Sequence, residues 1–520
     1  MSRTYRHRSF ARAIWCGLLV AGFVLTQAGC EQQPSNVNVN ANAPQRRPEA
    51  SLPKSVGDSG ERTFTVDPGD EGNGFDYYFA TFCELGLTTD ALCTASPPPS
   101  PEKKKTLVEA RNLDLTQALQ FLGYDGLAAR EWEDTASADL MSRFPGDVLS
   151  SAFFAPKITD VSKTVGDAPD PNLNIGWRKL IRLKARAGSP ALSKGVGAGF
   201  LLFNKFQGPH DSNPFRPADA VNESKATQLI LVRGDGSGLK RPVYFFVFGP
   251  LSGGSKLITF ILASFDERIT NASPLDNRYH VPHACAQCHG GKITDINNDD
   301  QYKPLKLNYL DTDHWFDRLD DDFAVVKGMP FPVLFDGDKD EASPKFAAAF
   351  DVIRQLNTEI RAQNAKVEPP STAVPSFQLR AVDKWLQLHA TSSSHQNVFA
   401  RALPNPTGTP WSATATPDKD LLPLLNQYCF RCHSSLIYSV FDRPAVAGRR
   451  GSILGRLHKT PVADKARMPQ DRDLDCAQKW RDDKQRMHTL VCGLNSNLPC
   501  PTPSPPINPC PTPSATPTPP

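Results

Sequence analysis

The chain has 520 residues, 39% of them hydrophobic, which is enough apolar material for two or three packed domains. Its 58 Lys and Arg nearly balance 55 Asp and Glu, for a net charge of +3, and no dense basic tract occurs. This balance leaves no electrostatic footprint for nucleic acid, and 12 cysteines in one chain point towards an oxidising compartment.

At the N-terminus, Arg3, Arg6, Arg8 and Arg12 precede a mostly apolar run from Ala13 to Leu25. At about 13 residues the run is too short to cross a membrane and has the length of a signal-peptide core. Ala28-Gly29-Cys30 then resembles the lipobox of bacterial lipoproteins, with Gln27 standing where an aliphatic residue is usual. The resemblance implies that residues 1–30 are a lipoprotein-type signal peptide and that Cys30 is lipidated, becoming the new N-terminus. It places the protein in the bacterial cell envelope, extracytoplasmic and held to the membrane by lipid, or else periplasmic. Glu31, in place of the aspartate tied to inner-membrane retention, favours the outer membrane. Residues 31–60 are rich in Asn, Pro and Gln and have little to bury, so a disordered tether is expected.

Residues 61–268 read as an α+β domain of unknown role. Thr106 to Leu122 has a helical pattern, after a break at Pro97-Pro98-Pro99. Thr227–Val232, Pro242–Phe248 and Leu257–Ser264 are short β-branched and aromatic runs separated by glycine-rich strings, the pattern of an antiparallel meander. Gly249 to Lys256 lacks the residue order of a phosphate loop, and Gly195-Val196-Gly197-Ala198-Gly199 lacks the dinucleotide fingerprint; both read as turns. Cys83 and Cys93 are near neighbours and candidates for a disulfide.

Two short strings dominate the C-terminal half of the chain. Cys285-Ala286-Gln287-Cys288-His289 and Cys429-Phe430-Arg431-Cys432-His433 are both C-x-x-C-H, the pattern on which haem c is covalently attached. Chance predicts ~0.006 such strings in a chain of this composition. Two thiols add across the porphyrin vinyl groups and the adjacent histidine coordinates the iron. A redox dithiol or a zinc site also uses C-x-x-C, but neither needs a histidine after both pairs. Two covalent haems are therefore expected, on Cys285 and Cys288 and on Cys429 and Cys432, with His289 and His433 as axial ligands.

The first haem segment, residues 269–400, lacks a helix before its motif, because Asn271 to Pro282 is turn-rich; helices are expected at about 346–364 and 376–390. Met329, in Gly328-Met329-Pro330, is the candidate sixth ligand, with His280, His283 and His314 as rivals and an open iron as a further alternative. Acidic runs at 295–300 and 336–341 lack the glycine and glutamate of calcium loops and read as solvated loops.

The second segment, residues 415–495, has a helical stretch from Asp418 to Tyr428, then C-x-x-C-H, then Met468-Pro469, then a helical stretch from Asp473 to about Leu494. This order resembles class I monohaem cytochromes c, which implies Met468 as the sixth ligand. Residues 496–520 form a Pro-rich tail. Cys476, Cys492, Cys500 and Cys510 remain, and neighbour pairing suggests Cys476–Cys492 and Cys500–Cys510 among several connectivities.

Altogether the chain resembles an exported di-haem c-type cytochrome: multidomain, an N-terminal α+β domain with an antiparallel meander, then two mainly α, cytochrome-c-like haem segments. The resemblance implies electron carriage between other extracytoplasmic redox proteins. Two other classes stay open. One is a di-haem peroxidase- or oxygenase-like enzyme with one open haem, from which the early Met468-Pro469 and the missing lead-in helix depart. The other is a haem-bearing binding or sensor lipoprotein.

Overall fold

The computed structural model of the chain describes residues 71–88, 91–154, 164–165, 168–169, 177–206, 226–234, 241–262, 278–282, 285, 289, 292–293, 302–303, 305–310, 344–368, 375–391, 411–412, 414–429, 440, 442–458, 478–495 and 498–502, all within one unit, Ala50–Pro520. The signal segment with Cys30, the 31–60 tether, the acidic runs and the end of the tail lie outside the described residues.

The first helices are α1 (Glu71–Leu85), α2 (Pro101–Arg111), α3 (Leu115–Phe121), α4 (Ala129–Asp134) and α5 (Ser137–Arg143). The helix expected over 106–122 is two helices. Asn112 adopts a left-handed conformation (φ 47°) that ends α2, and Asp114 starts α3 with a capping box. In that box the Gln117 amide donates to Asp114 Oδ1 at 2.8 Å, and the Asp114 amide donates to Gln117 Oε1 at 3.3 Å. Cys83 at the end of α1 is bonded to Cys93, closing the connection to α2.

The strands are β1 (Val148–Phe154), β2 (Thr164–Val165), β3 (Ala168–Pro169), β4 (Trp177–Lys184), β5 (Val196–Phe206), β6 (Ala226–Arg233), β7 (Val243–Phe248), β8 (Phe260–Leu262), β9 (Arg278–His280), β10 (Lys292–Ile293) and β11 (Tyr302–Lys303), with the short helix α6 (Pro190–Ser193) between β4 and β5. An antiparallel five-stranded sheet has the order β1-β4-β5-β6-β7, and β4 to β7 form the meander. Two expectations are corrected here. The 195–199 glycine string is a turn only at Gly195; from Val196 it runs as β5. A Cβ on Gly199 would come within 2.7 Å of Leu122 Cδ1, so these glycines let the end of α3 lie close on the strand. The third run, 257–264, only begins on the sheet: Leu257 bridges Phe248 and the Ile258 amide donates to the Val247 carbonyl at 2.8 Å, but the Leu257 amide donates to the Leu113 carbonyl and 260–262 pairs with β9 instead.

The edge strand β7 is buried along its whole length, and α1 covers one of its faces. Tyr78 meets Phe246 with ring centroids 6.0 Å apart, and the Tyr77 hydroxyl accepts the Phe245 backbone N–H at 2.8 Å. That hydroxyl occupies a donor an exposed edge would leave open. On β4, one strand in from the opposite edge, Lys179 is buried, and its ammonium donates to the carbonyls of Trp132, Glu133 and Thr135 where α4 ends. A cation at a helix C-terminus meets the negative end of the dipole and the unsatisfied carbonyls together.

The remaining helices are α7 (Pro344–Lys366), α8 (Phe377–Leu388), α9 (Asp418–Tyr428), α10 (Arg443–Gly448), α11 (Arg450–Leu457) and α12 (Gln478–Gly493). One apolar core runs from Phe75 to Trp385, so residues on both sides of position 268 share an interior. Buried Arg182 on β4 reaches Glu359 on α7 at 2.8 Å, tying the sheet to the helix that follows the first motif. A second cluster unites α9, α10, α11 and α12 with Ala381 and Trp411. Among the described residues no helix is long and apolar enough to cross a membrane.

Candidate functional site

Of the first motif, Cys285 and His289 are described, while Cys288 lies outside the described residues. The lead-in is the strand β9 followed by a turn, in which the Cys285 amide donates to the Pro282 carbonyl at 2.9 Å. Helix α1 approaches this turn closely, since a Cβ on Gly74 would lie 3.0 Å from the Val281 carbonyl oxygen. Cys285 is buried near Tyr78, whose hydroxyl is 3.2 Å from the Ile258 carbonyl oxygen. Burial, and then the neighbouring Cys285, push the Tyr78 phenol well above its ordinary value, so it stays neutral.

His289 lies against Phe245 of β7, ring centroids 4.7 Å apart in an edge-on arrangement. Phe245 and Phe246 alternate on the strand, so the motif histidine and Tyr78 occupy opposite faces of β7. The chain then turns through the β10–β11 hairpin and returns. The Lys306 amide donates to the His289 carbonyl at 3.0 Å, and His289 Nδ1 lies 2.7 Å from the Lys306 carbonyl oxygen. Only a protonated Nδ1 can donate to that oxygen, which leaves Nε2 as the lone-pair nitrogen. Desolvation lowers the His289 pKa to about 4, with Arg178 also lowering it and the Lys306 bond opposing. The imidazole is thus neutral, with its tautomer fixed and Nε2 available. Metal-ligating histidines are held in this way, by a carbonyl on the second nitrogen.

The returning segment, 305–310, is held from α7. Asn364 accepts from the Leu307 amide and donates to the Leu307 carbonyl, both at 2.8 Å. Asn357, two turns earlier, does the same for Leu310 at 2.7 and 2.9 Å. These two asparagines stand in for a neighbouring strand and fix the segment that carries the Lys306 carbonyl.

In the second motif Cys429 is the C-cap of α9, its amide donating to the Leu425 carbonyl at 2.8 Å, and its side chain is half-buried against the second cluster. Cys432 and His433 lie outside the described residues, as do Met329, Met468, His283 and His314. The start of α9 is pinned by Asp418, which pairs with Arg443 at 2.7 Å and accepts from the Ser412 amide at 2.9 Å. Its end is pinned by Tyr428, which donates to Asp483 of α12 at 2.6 Å. The helix before the motif and the helix closing the segment are therefore packed together. The described donors, a buried thiol and a neutral, carbonyl-tied histidine in the first motif and a thiol where a helix ends in the second, are of the kinds that thioether attachment of a porphyrin and imidazole ligation of its iron require.

The cysteine pairing at the C-terminus is corrected: Cys492 is bonded to Cys500, which replaces the Cys476–Cys492 and Cys500–Cys510 neighbour pairs; Cys476 and Cys510 lie outside the described residues. Arg450 ties the two segments that carry these cysteines: its guanidinium donates to the carbonyls of Cys492, Leu498 and Pro499 at 3.3, 3.2 and 3.1 Å. Sequence reasoning also missed His458 and His488, which meet at 2.5 Å between α11 and α12. Their spacing in the chain carries no motif, and only the packing of the two helices brings them together. No protein-family model, curated protein or solved structure matches the chain.

Proposed function

We propose that the chain is an exported di-haem c-type cytochrome that carries electrons between extracytoplasmic redox proteins. The observation that carries the reading is the pair of C-x-x-C-H strings, supported by the His289 imidazole held neutral with Nδ1 on the Lys306 carbonyl. Cys285 and Cys288 would hold one haem and Cys429 and Cys432 the other, and His289 with Met329 and His433 with Met468 would ligate their irons. Bound haem c of this ligation exchanges one electron at its iron with little rearrangement.

The protein's own residues do the positioning. Lys306 fixes the His289 tautomer, Phe245 packs against its ring, and Tyr78 stays protonated beside Cys285, so no phenolate competes for charge there. The order α9, C-x-x-C-H, α12, with both helices packed through Tyr428 and Asp483, supports a class I-like second segment. Export follows from the N-terminal run, since haem c is attached outside the cytoplasmic membrane in bacteria. Lipidation at Cys30 would hold the protein to the membrane without a spanning helix.

The test is a visible and EPR spectrum of the oxidised protein. Two low-spin, six-coordinate irons per chain support the carrier. High-spin iron together with turnover of hydrogen peroxide would replace it with the peroxidase-like reading.

A further inference from the structure

We propose that His488, Cys492 and Cys500 form a redox-gated site for one soft divalent cation, zinc above all. The site is closed while the cysteines are a disulfide and opens to the ion once they are thiols. It is independent of the haem reading.

The donor atoms already converge. His488 Nε2 lies 3.3 Å from Cys500 Sγ and 3.7 Å from Cys492 Sγ. All three ligand atoms lie within 4.8 Å of one another. His488 and Cys492 are four apart on α12 and so share one face, and the turn after the helix delivers Cys500. Two thiolates and an imidazole are the donors zinc selects, with a fourth position left for water. His488 is buried, Cys492 is half-buried and Cys500 is exposed, so an ion and an external reductant can both arrive from the Cys500 side.

Two features go beyond what a structural disulfide requires. His488 Nδ1 is 2.5 Å from His458 Nε2, so the second nitrogen of the candidate ligand is tied down and Nε2 is aimed at the sulfurs. That is the outer-shell arrangement of ligating histidines. Arg450 holds the turn through the carbonyls of Cys492, Leu498 and Pro499, none of which depends on the S–S bond. The thiols therefore stay together after reduction instead of separating.

The chemistry balances with an external dithiol as reductant. Its two thiols give two electrons and two protons to the Cys492–Cys500 bond, which breaks into two thiols while the reductant leaves as its own disulfide. Zinc binding then displaces both thiol protons to solvent.

The test uses the full-length protein, reduced with a phosphine, desalted without air, and alkylated with iodoacetamide in the presence or absence of Zn2+, with peptide mass spectrometry to read each cysteine. We expect Cys492 and Cys500 to be alkylated without zinc and protected with it, and the oxidised protein to be inert in both cases. Equal alkylation of these two cysteines with and without zinc overturns the proposal. A His488→Gln variant should lose the protection while still forming the disulfide; full protection in that variant would overturn the three-ligand site. The unmodified protein decides the matter if the variant does not fold.

Discussion

His289 and Lys306 exchange two hydrogen bonds: the histidine ring donates to the lysine carbonyl at 2.7 Å, and the lysine amide donates to the histidine carbonyl at 3.0 Å. The pair closes the hairpin after the first motif and fixes the tautomer, while burial, against the opposing Lys306 bond, keeps the imidazole neutral, with a pKa of about 4 against an ordinary value of about 6.5. A histidine whose folded pKa is depressed binds fewer protons folded than unfolded. Its contribution to stability is therefore intact above pH ~6.5 and is lost as pH falls through about 4, worth roughly 3 kcal/mol at most. In protein made without haem attachment, the unfolding midpoint should fall between pH 7 and 4, and His289→Gln should flatten that part of the profile. Identical pH profiles for the two proteins would show that the ring is not held neutral.

The asparagine pair on α7 should matter as much as a core leucine. Asn357 and Asn364 are 0% and 1% exposed, and each satisfies both backbone groups of a buried leucine. Alanine at either position leaves a buried amide and carbonyl without partners, at a cost on the order of 3 kcal/mol. Aspartate should be worse than its size suggests, because it retains the acceptor but sets a carboxylate against the leucine carbonyl. Urea unfolding of Asn357→Ala, Asn364→Ala and Asn364→Asp checks both statements.

Digestion without reduction should yield Cys83 linked to Cys93 and Cys492 linked to Cys500. Removing the first bond by Cys83→Ala/Cys93→Ala should cost about 2–3 kcal/mol, given its short loop, and leave the haem content unchanged. A peptide joining Cys476 to Cys492 would overturn the C-terminal pairing.

Local signals were legible where chemistry is written in adjacent residues. The two C-x-x-C-H strings, the helix at 418–428 with its leucines on one face, and the last two meander strands needed no tertiary information. Strands β1, β4 and β5 were not legible in this way. Buried Lys179 and Arg182 break the apolar alternation of β4, and Gly195 to Gly199 disguises the start of β5. Their polar or missing side chains are explained by partners far away in sequence: the carbonyls ending α4, Glu359, and Leu122. The break between α2 and α3 was readable from Asn112 and Asp114, as a left-handed cap followed by an N-cap. The Lys306 carbonyl, the asparagine pair and the His458–His488 contact were not, because each is a meeting of segments that only the folded chain creates.

On the carrier reading, Met468→Ala should abolish the second haem's share of the far-red sulfur-to-iron band, lower its potential and open its iron to carbon monoxide. Met329→Ala should do the same at the first haem. A variant with an unchanged band and potential would mean that another residue supplies that sixth ligand.

Whether one chain carries two covalent haems is decided by its intact mass under denaturing conditions, because thioether bonds survive unfolding. Protein produced with haem-attachment machinery should carry the mass of two haems, and Cys429→Ala/Cys432→Ala should carry one, still stained on a denaturing gel. An unmodified polypeptide mass, or haem released on denaturation, would refute the di-haem reading.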